Sequence, residues 1–286
     1  MSNEAASRTG PGVPGLQFHD LGRRAASGVV LALVALALTY AGGLAFMGLV
    51  LTAVVLMSWE WGRIVRRTQA IDVVCMVHVA AVAGATILAT AGQTVFAGLV
   101  LAMGAIIILP LAFGASTLLS CLGVFYVGIP AVALITLRLD GPNGLVAVIF
   151  VMLVVWTVDT AAFLSGRGIG GPKLWPTISP NKTWAGFLGG IGSGAVVGIV
   201  VALWLGAPVL RLAVVALLLG VVSQAGDLAE SALKREFGVK DSSGLIPGHG
   251  GVLDRLDGVV AAATLAGVIG VLAKIGAPAR ALLFGT

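Results

Sequence analysis

Ser223, Asp227, Glu230, Ser231 and Lys234 follow one another at intervals of four, three, one and three residues. On a helix that spacing puts all five on one face. Lys234-Arg235, Lys240-Asp241-Ser242-Ser243, Pro247-Gly248-His249-Gly250-Gly251 and Asp254-Arg255-Leu256-Asp257 come next. Asp254 and Asp257 are three apart and share a second helix face. Hard carboxylate oxygens suit Mg²⁺, which ordinarily combines one or two carboxylates with water and substrate phosphates. Lysine and arginine suit phosphate oxygens. A Gly-His-Gly-Gly turn lets the backbone approach a ligand closely. Together these residues describe phosphoryl or nucleotidyl transfer, with a metal and basic groups offsetting charge in the transition state. Plainer readings stand beside that one. Glu230 and Lys234 also make an ordinary i,i+4 pair, Lys240 and Asp241 suit any polar loop, and His249 suits a turn without moving a proton.

A second stretch offers similar chemistry. Between Gly166 and Thr183 the chain reads GRGIGGPKLWPTISPNKT. Glycines bare their N–H groups, Lys173 and Lys182 add charge, and Ser179 and Thr183 add hydroxyls, so this loop can hold phosphates. It lacks the Gly-x-x-x-x-Gly-Lys-Ser/Thr order of a P-loop. A basic loop on the cytoplasmic side of a membrane explains its charge equally well. Asp159 precedes it, near the end of an apolar run, where an acid is costly and needs a task or a partner such as Arg167.

These residues need a frame to hold them, and the composition says which. Of 286 residues 58% are hydrophobic, 10% are charged, and mean hydropathy is +1.07. A soluble domain would carry about 25% charged residues. A soluble globule, a disordered chain and a secreted disulfide scaffold are excluded, and the chain reads as an integral membrane protein. Cys75 and Cys121 lie in apolar stretches and read as buried. The runs are too long and too little alternating for a β-barrel, so the fold class is all-α, a polytopic bundle.

Polar and Gly/Pro breaks divide the chain into nine expected spans, near 25–42, 43–59, 71–91, 94–112, 116–137, 144–165, 184–205, 208–226 and 258–276. The cut at Phe113 to Thr117 has no charge to mark it. With the amino terminus inside and the carboxyl terminus outside, 13 of the 17 Lys and Arg face the cytoplasm. That accounts for the net charge of +5 without invoking nucleic acid. Residues 1–24 read as a flexible cytoplasmic tail, 25–142 as a transmembrane scaffold, and 143–286 as a catalytic region with loops 166–183 and 227–257. Glu60, between Trp59 and Trp61, reads as an interfacial anchor or as support for other residues.

The stretch from Ser231 to Asp257, SALKREFGVKDSSGLIPGHGGVLDRLD, resembles the signature of the phosphatidate cytidylyltransferases, or CDP-diacylglycerol synthases. Ser179-Pro180-Asn181-Lys182-Thr183-Trp184-Ala185-Gly186 resembles a second segment of that family. The likeness is strong over about 159–258 and rests upstream on hydropathy and the Glu60-Trp61 pair. The chain departs at Asn181, Gly244 and Gly258, where the family usually has Gly or a basic residue, Asn, and Ser. The resemblance implies that CTP and phosphatidate give CDP-diacylglycerol and pyrophosphate for phospholipid biosynthesis. It implies Mg²⁺, a second cation such as K⁺, and a homodimer. A short tail and a compact chain favour a bacterial cytoplasmic membrane, and the Lys and Arg bias puts the site on its cytoplasmic side. Asp227 and Asp254 correspond to the family's metal pair, with Asp159, Glu230 and Asp257 as further oxygen donors. Lys234 and Arg235 join that pair as catalytic residues. Lys173, Ser179, Lys182, Thr183, Lys240, Asp241, His249, Gly250, Gly251 and Arg255 are the expected substrate-binding set.

Three other readings compete. A cation-coupled transporter would place Asp159, Asp227 and Asp254 near the midplane, whereas they gather toward one face. A CDP-alcohol phosphotransferase needs an arginine that the residues after Asp257-Gly258 lack. A noncatalytic scaffold does not account for seven acids in the last half.

Overall fold

The computed structural model describes residues 18–112, 114, 116–246 and 250–286, the side chains of 18–27 excepted. Apolar runs without water to bond must close their own backbone hydrogen bonds, and helices do so. The described residues form α1 (Phe18–Ala41), α2 (Gly43–Val65), α3 (Val73–Thr90), α4 (Thr94–Leu111), α5 (Ser116–Arg138) and α6 (Gly141–Gly168). A hairpin of β1 (Lys173–Trp175) and β2 (Ser179–Thr183) follows. Then come α7 (Trp184–Leu205), α8 (Val209–Glu236), α9 (Leu253–Ala273) and α10 (Pro278–Phe284).

Eight of these, α2 to α9, are long and apolar enough to cross a membrane. The ninth expected span falls in α1, whose described apolar part is the shorter stretch Gly28–Ala41. Residues 18–24, expected in the flexible tail, are the first turns of α1. The uncharged cut near 113–117 falls where α4 gives way to α5. Three further differences bear on the site. The glycine-rich loop is not irregular: α6 runs on to Gly168, and 173–183 pairs as a hairpin. α8 extends to Glu236, so the polar stripe leaves the apolar zone without a break. At 28 residues each, α6 and α8 are about 42 Å long, well beyond a hydrocarbon core of roughly 30 Å. The apolar chain after residue 276 turns back as α10, with Ala279, Leu282 and Leu283 fully buried.

Charge caps the bundle at the end away from the site. Gly42 and Gly43 have φ of +66° and +49°, left-handed backbone that ends α1. Arg138 fills the space beside Gly42 and donates to the carbonyls of Thr39 at 2.9 Å and Tyr40 at 3.2 Å. Arg211 donates likewise to Leu282 at 2.9 Å and Ala281 at 2.7 Å in α10. Both cations meet the negative carbonyl ends of helices.

α6 is the central helix, with Val151, Val154 and Val158 fully buried. α7 lies between α6 and α8 and meets them through Gly186, Gly190, Gly194, Gly198 and Ala202, one small residue per turn. A Cβ on Gly190 would come within 2.9 Å of the Val158 carbonyl, and one on Gly198 within 2.5 Å of the Leu212 carbonyl. Those backbones touch because nothing stands between them. Gly198→Leu should therefore destabilise the bundle by about 1–3 kcal/mol, read as a lower thermal midpoint. Gly192→Leu, where an added Cβ meets nothing within 4 Å, should leave that midpoint unchanged.

Candidate active site

The close packing of α6, α7 and α8 brings their ends together around a polar pocket of about 580 Å³. Asp159 and Arg167 come from α6, Lys173, Lys182 and Thr183 from the hairpin, and Gln224 and Asp227 from α8. The hairpin carries the two lysines to this place. Thr183 ends β2 and accepts the Gly186 N–H at 3.1 Å through its hydroxyl, so strand turns directly into α7. Its oxygen is engaged as a cap, although Thr183 lines the pocket as expected. Lys182 crosses to Asp227 at 2.7 Å, with the two side chains 22% and 36% exposed. Ser231, one turn on, donates to the other Asp227 oxygen at 3.3 Å. Ser179 lies in β2 outside the pocket lining.

A second centre lies further along α8. Lys234 sits between Glu230, at 2.6 Å, and Asp254 of α9, at 2.7 Å. Their side chains are 11%, 1% and 4% exposed. The Glu230–Lys234 pair is thus buried, not the surface pair that its spacing also allowed. Asp254 is surrounded. It accepts the Ser242 N–H at 2.9 Å, the Ser242 hydroxyl at 3.0 Å and the Gly251 N–H at 2.7 Å. Gly250 has φ of +83°, and a Cβ there would lie 2.6 Å from the Asp254 carboxylate. The glycines of the turn let the chain wrap this carboxylate.

The two centres communicate through charge. Asp159, Asp227 and Asp257 lie within each other's electrostatic reach, as does Arg255 with Asp159. Arg235 reaches the hairpin and donates to the Ile178 carbonyl at 3.5 Å. Lys240 and Asp241 are exposed beside the turn. His249 lies outside the described residues. Arg255 also borders an apolar groove of about 420 Å³ among α1, α2, α5, α6 and α9.

A family model of the cytidylyltransferase family matches residues 22–272. The chain belongs to the cytidylyltransferase family. A phosphatidate cytidylyltransferase of Brucella suis biovar 1 is 40% identical over 257 residues, 89% of this chain and 95% of that protein. One from Brucella abortus biovar 1 matches to the same extent. One from Staphylococcus saprophyticus is 44% identical over 144 residues, 48% of this chain and 52% of that protein. The bundle is therefore the frame of a nucleotidyltransferase.

In this cytidylyltransferase the departure at Gly258 has a structural counterpart. A Cβ there would sit 2.6 Å from the Ser223 hydroxyl and 3.3 Å from Val155, so a side chain needs space that α6 and α8 now fill. Glu60 is the residue most undervalued in the sequence. It is fully buried against the start of α9, where it supports other residues, the second of its two readings. Its position in the scaffold half, among apolar residues, gave no sign of that partner.

The two lysines differ in exposure, and so should their variants. Lys234→Met strands Glu230 and Asp254 without a cation in a buried place, and should destabilise by about 3–5 kcal/mol. Thermal unfolding in detergent reads this directly, and Glu230→Gln in the same chain should recover part of the loss. Lys182→Met leaves Asp227 in contact with water, so it should destabilise less than Lys234→Met and its effect should show in turnover.

Proposed function

We propose that this cytidylyltransferase transfers the cytidylyl group of CTP to phosphatidate, yielding CDP-diacylglycerol and pyrophosphate for phospholipid synthesis. The observation that carries this reading is the polar pocket. It joins Arg167, Lys173 and Lys182 with Asp159 and Asp227 at the end of long membrane-crossing helices. An anionic nucleotide from water and an anionic lipid head group from the bilayer can meet there. The site then faces the cytoplasm of a bacterial inner membrane, with the amino terminus inside, and the protein works as a homodimer.

The reaction needs little from the protein beyond position and charge. A phosphatidate oxygen, already ionised near neutral pH, attacks the α-phosphorus of CTP. The bond from that phosphorus to the bridging oxygen breaks, and the electron pair leaves with pyrophosphate. Lys173 and Lys182 can cradle phosphate oxygens, with Lys182 exchanging Asp227 for the nucleotide. Lys234 and Arg235 offset charge from the α8 side, and Arg255, beside the apolar groove, faces the lipid head group. Lys240, Asp241, Ser179, His249, Gly250 and Gly251 complete the proposed substrate contacts.

The donor set suits Mg²⁺ in part. Among the described residues no three Asp, Glu, His or Cys side chains converge on one point. Mg²⁺ does not require that, since phosphates and water fill most of its shell. Asp227, open to the pocket beside Asp159, is a suitable oxygen donor. Asp254 is the second proposed ligand, although Lys234 and the turn amides engage both its oxygens in this conformation. Asp159, Glu230 and Asp257 are the further donors, and K⁺ is the proposed second cation. When bound, Mg²⁺ would neutralise triphosphate charge and help pyrophosphate depart.

The test is to incubate purified protein in detergent–lipid micelles with phosphatidate, CTP and Mg²⁺, measuring pyrophosphate and CDP-lipid together. Equal amounts of both are expected, with losses of about 100-fold or more in folded Asp227→Ala. A chelator should stop the reaction, and added Mg²⁺ should restore it. Folded wild type that forms neither product with several phosphatidates would overturn the reading.

A further inference from the structure

Glu60 belongs to α2 and lines none of the cavities described above, yet its carboxylate makes contacts that span the chain. One oxygen accepts the Val252 N–H at 3.0 Å and the other the Leu253 N–H at 2.6 Å. The Ser243 hydroxyl donates to the first oxygen in a short bond. Glu60 is fully buried, Ser243 nearly so.

The reason lies in α9. A helix begins with N–H groups that have no partner inside the helix. α9 starts at Leu253, and the preceding Val252 has no side-chain oxygen to cap it. Asp254 takes the Gly251 N–H. The next two amides, of Val252 and Leu253, would be orphans away from water. Glu60 accepts both, and the positive end of the helix dipole favours its charge. Gly251 is squeezed between the two carboxylate systems: a Cβ there would collide with both the Ser242 hydroxyl and the Glu60 carboxylate. Ser242 belongs to Asp254 and Ser243 to Glu60. The Ser-Ser and Gly-Gly pairs of the signature thus grip two carboxylates, one from α9 and one from α2.

The neighbour of Glu60 fixes it in turn. Trp61 donates its indole N–H to the Leu119 carbonyl at 2.9 Å, stacks near Tyr126, and fills the space beside Gly123 in α5. The register of α2 is set against α5 by one residue and against α9 by the next.

We infer that Glu60 is a positioning residue for nucleotidyl transfer: it pins the start of α9 and, through it, the orientation of Asp254 and Lys234. The inference rests on the proposed function for the reaction, but the clamp itself is independent of it. Its test combines steady-state kinetics with amide exchange across residues 250–256, on the full chain in lipid micelles. Glu60→Gln keeps the size and removes the charge. Its kcat should fall about tenfold or more, with KM for CTP and phosphatidate within roughly threefold of wild type. Exchange at Val252 and Leu253 should quicken. Ser243→Ala loses a single bond and should move both readouts the same way by less, and the double variant should resemble Glu60→Gln in kcat. That second variant keeps the test open should the first fail to fold. Unchanged exchange in both variants would overturn the clamp. Faster exchange with wild-type kcat, or activity lost only in step with lost folded protein, would overturn positioning. An inert wild type would instead overturn the reaction, a failure that the exchange data separate from the first.

Discussion

Lys234 carries a full charge into a place where about a tenth of its side chain meets solvent. An unpaired ammonium there would be prohibitively desolvated. Glu230 and Asp254 meet it from either side, so the three side chains share a dry space. The Asp254 carboxylate takes further donors from the turn between α8 and α9, backbone amides and the Ser242 hydroxyl. Asp254 draws Ser242 and Gly251 inward. The turn can come that close only because Gly250 adopts a left-handed backbone and Gly251 has no side chain. The glycine-rich signature follows from the buried lysine.

That triad would point at nothing without the close approach of α6, α7 and α8. Glycines on α7 let carbonyls of its neighbours come into contact range, so the ends of three long helices emerge side by side. The hairpin then leaves α6 and returns into α7 with Thr183 as cap, which aims Lys182 at Asp227 on α8. The two centres differ in openness. In the Lys182–Asp227 pair the carboxylate is partly solvated. The Glu230–Lys234–Asp254 triad is closed.

How much of this is legible in the sequence depends on the range of each interaction. The helical stripe from Ser223 to Lys234 can be read because its period is local, and the structure keeps it on one helix. The family signature marks the turn for the same reason. The hairpin is hidden: Gly168, Gly170, Gly171, Pro172, Pro176 and Pro180 look like breakers, yet β1 and β2 pair among them, with Pro176 in the turn and Pro180 within β2. α10 is hidden because seven residues carry too little periodicity, and its place is set by packing and by Arg211. Glu60 is hidden most thoroughly. Its partners are more than 180 residues away, and no local pattern reports such a contact. Thr183 has a local task that its spacing does not show: it lines the pocket and also caps α7.

The basic residues separate by task in a way that simple counting obscures. Arg138 and Arg211 lie on the face with fewer cations, and each is committed to the carbonyl end of a helix. They replace solvent for groups that would otherwise lack donors. At the opposite end Lys173, Lys182 and Arg167 line an open pocket together with Asp159 and Asp227. A bias of lysine and arginine toward one face arises in any membrane protein from insertion alone. Here geometry adds what the bias cannot: the cations at one end complete the protein, while those at the other border an open pocket with two carboxylates.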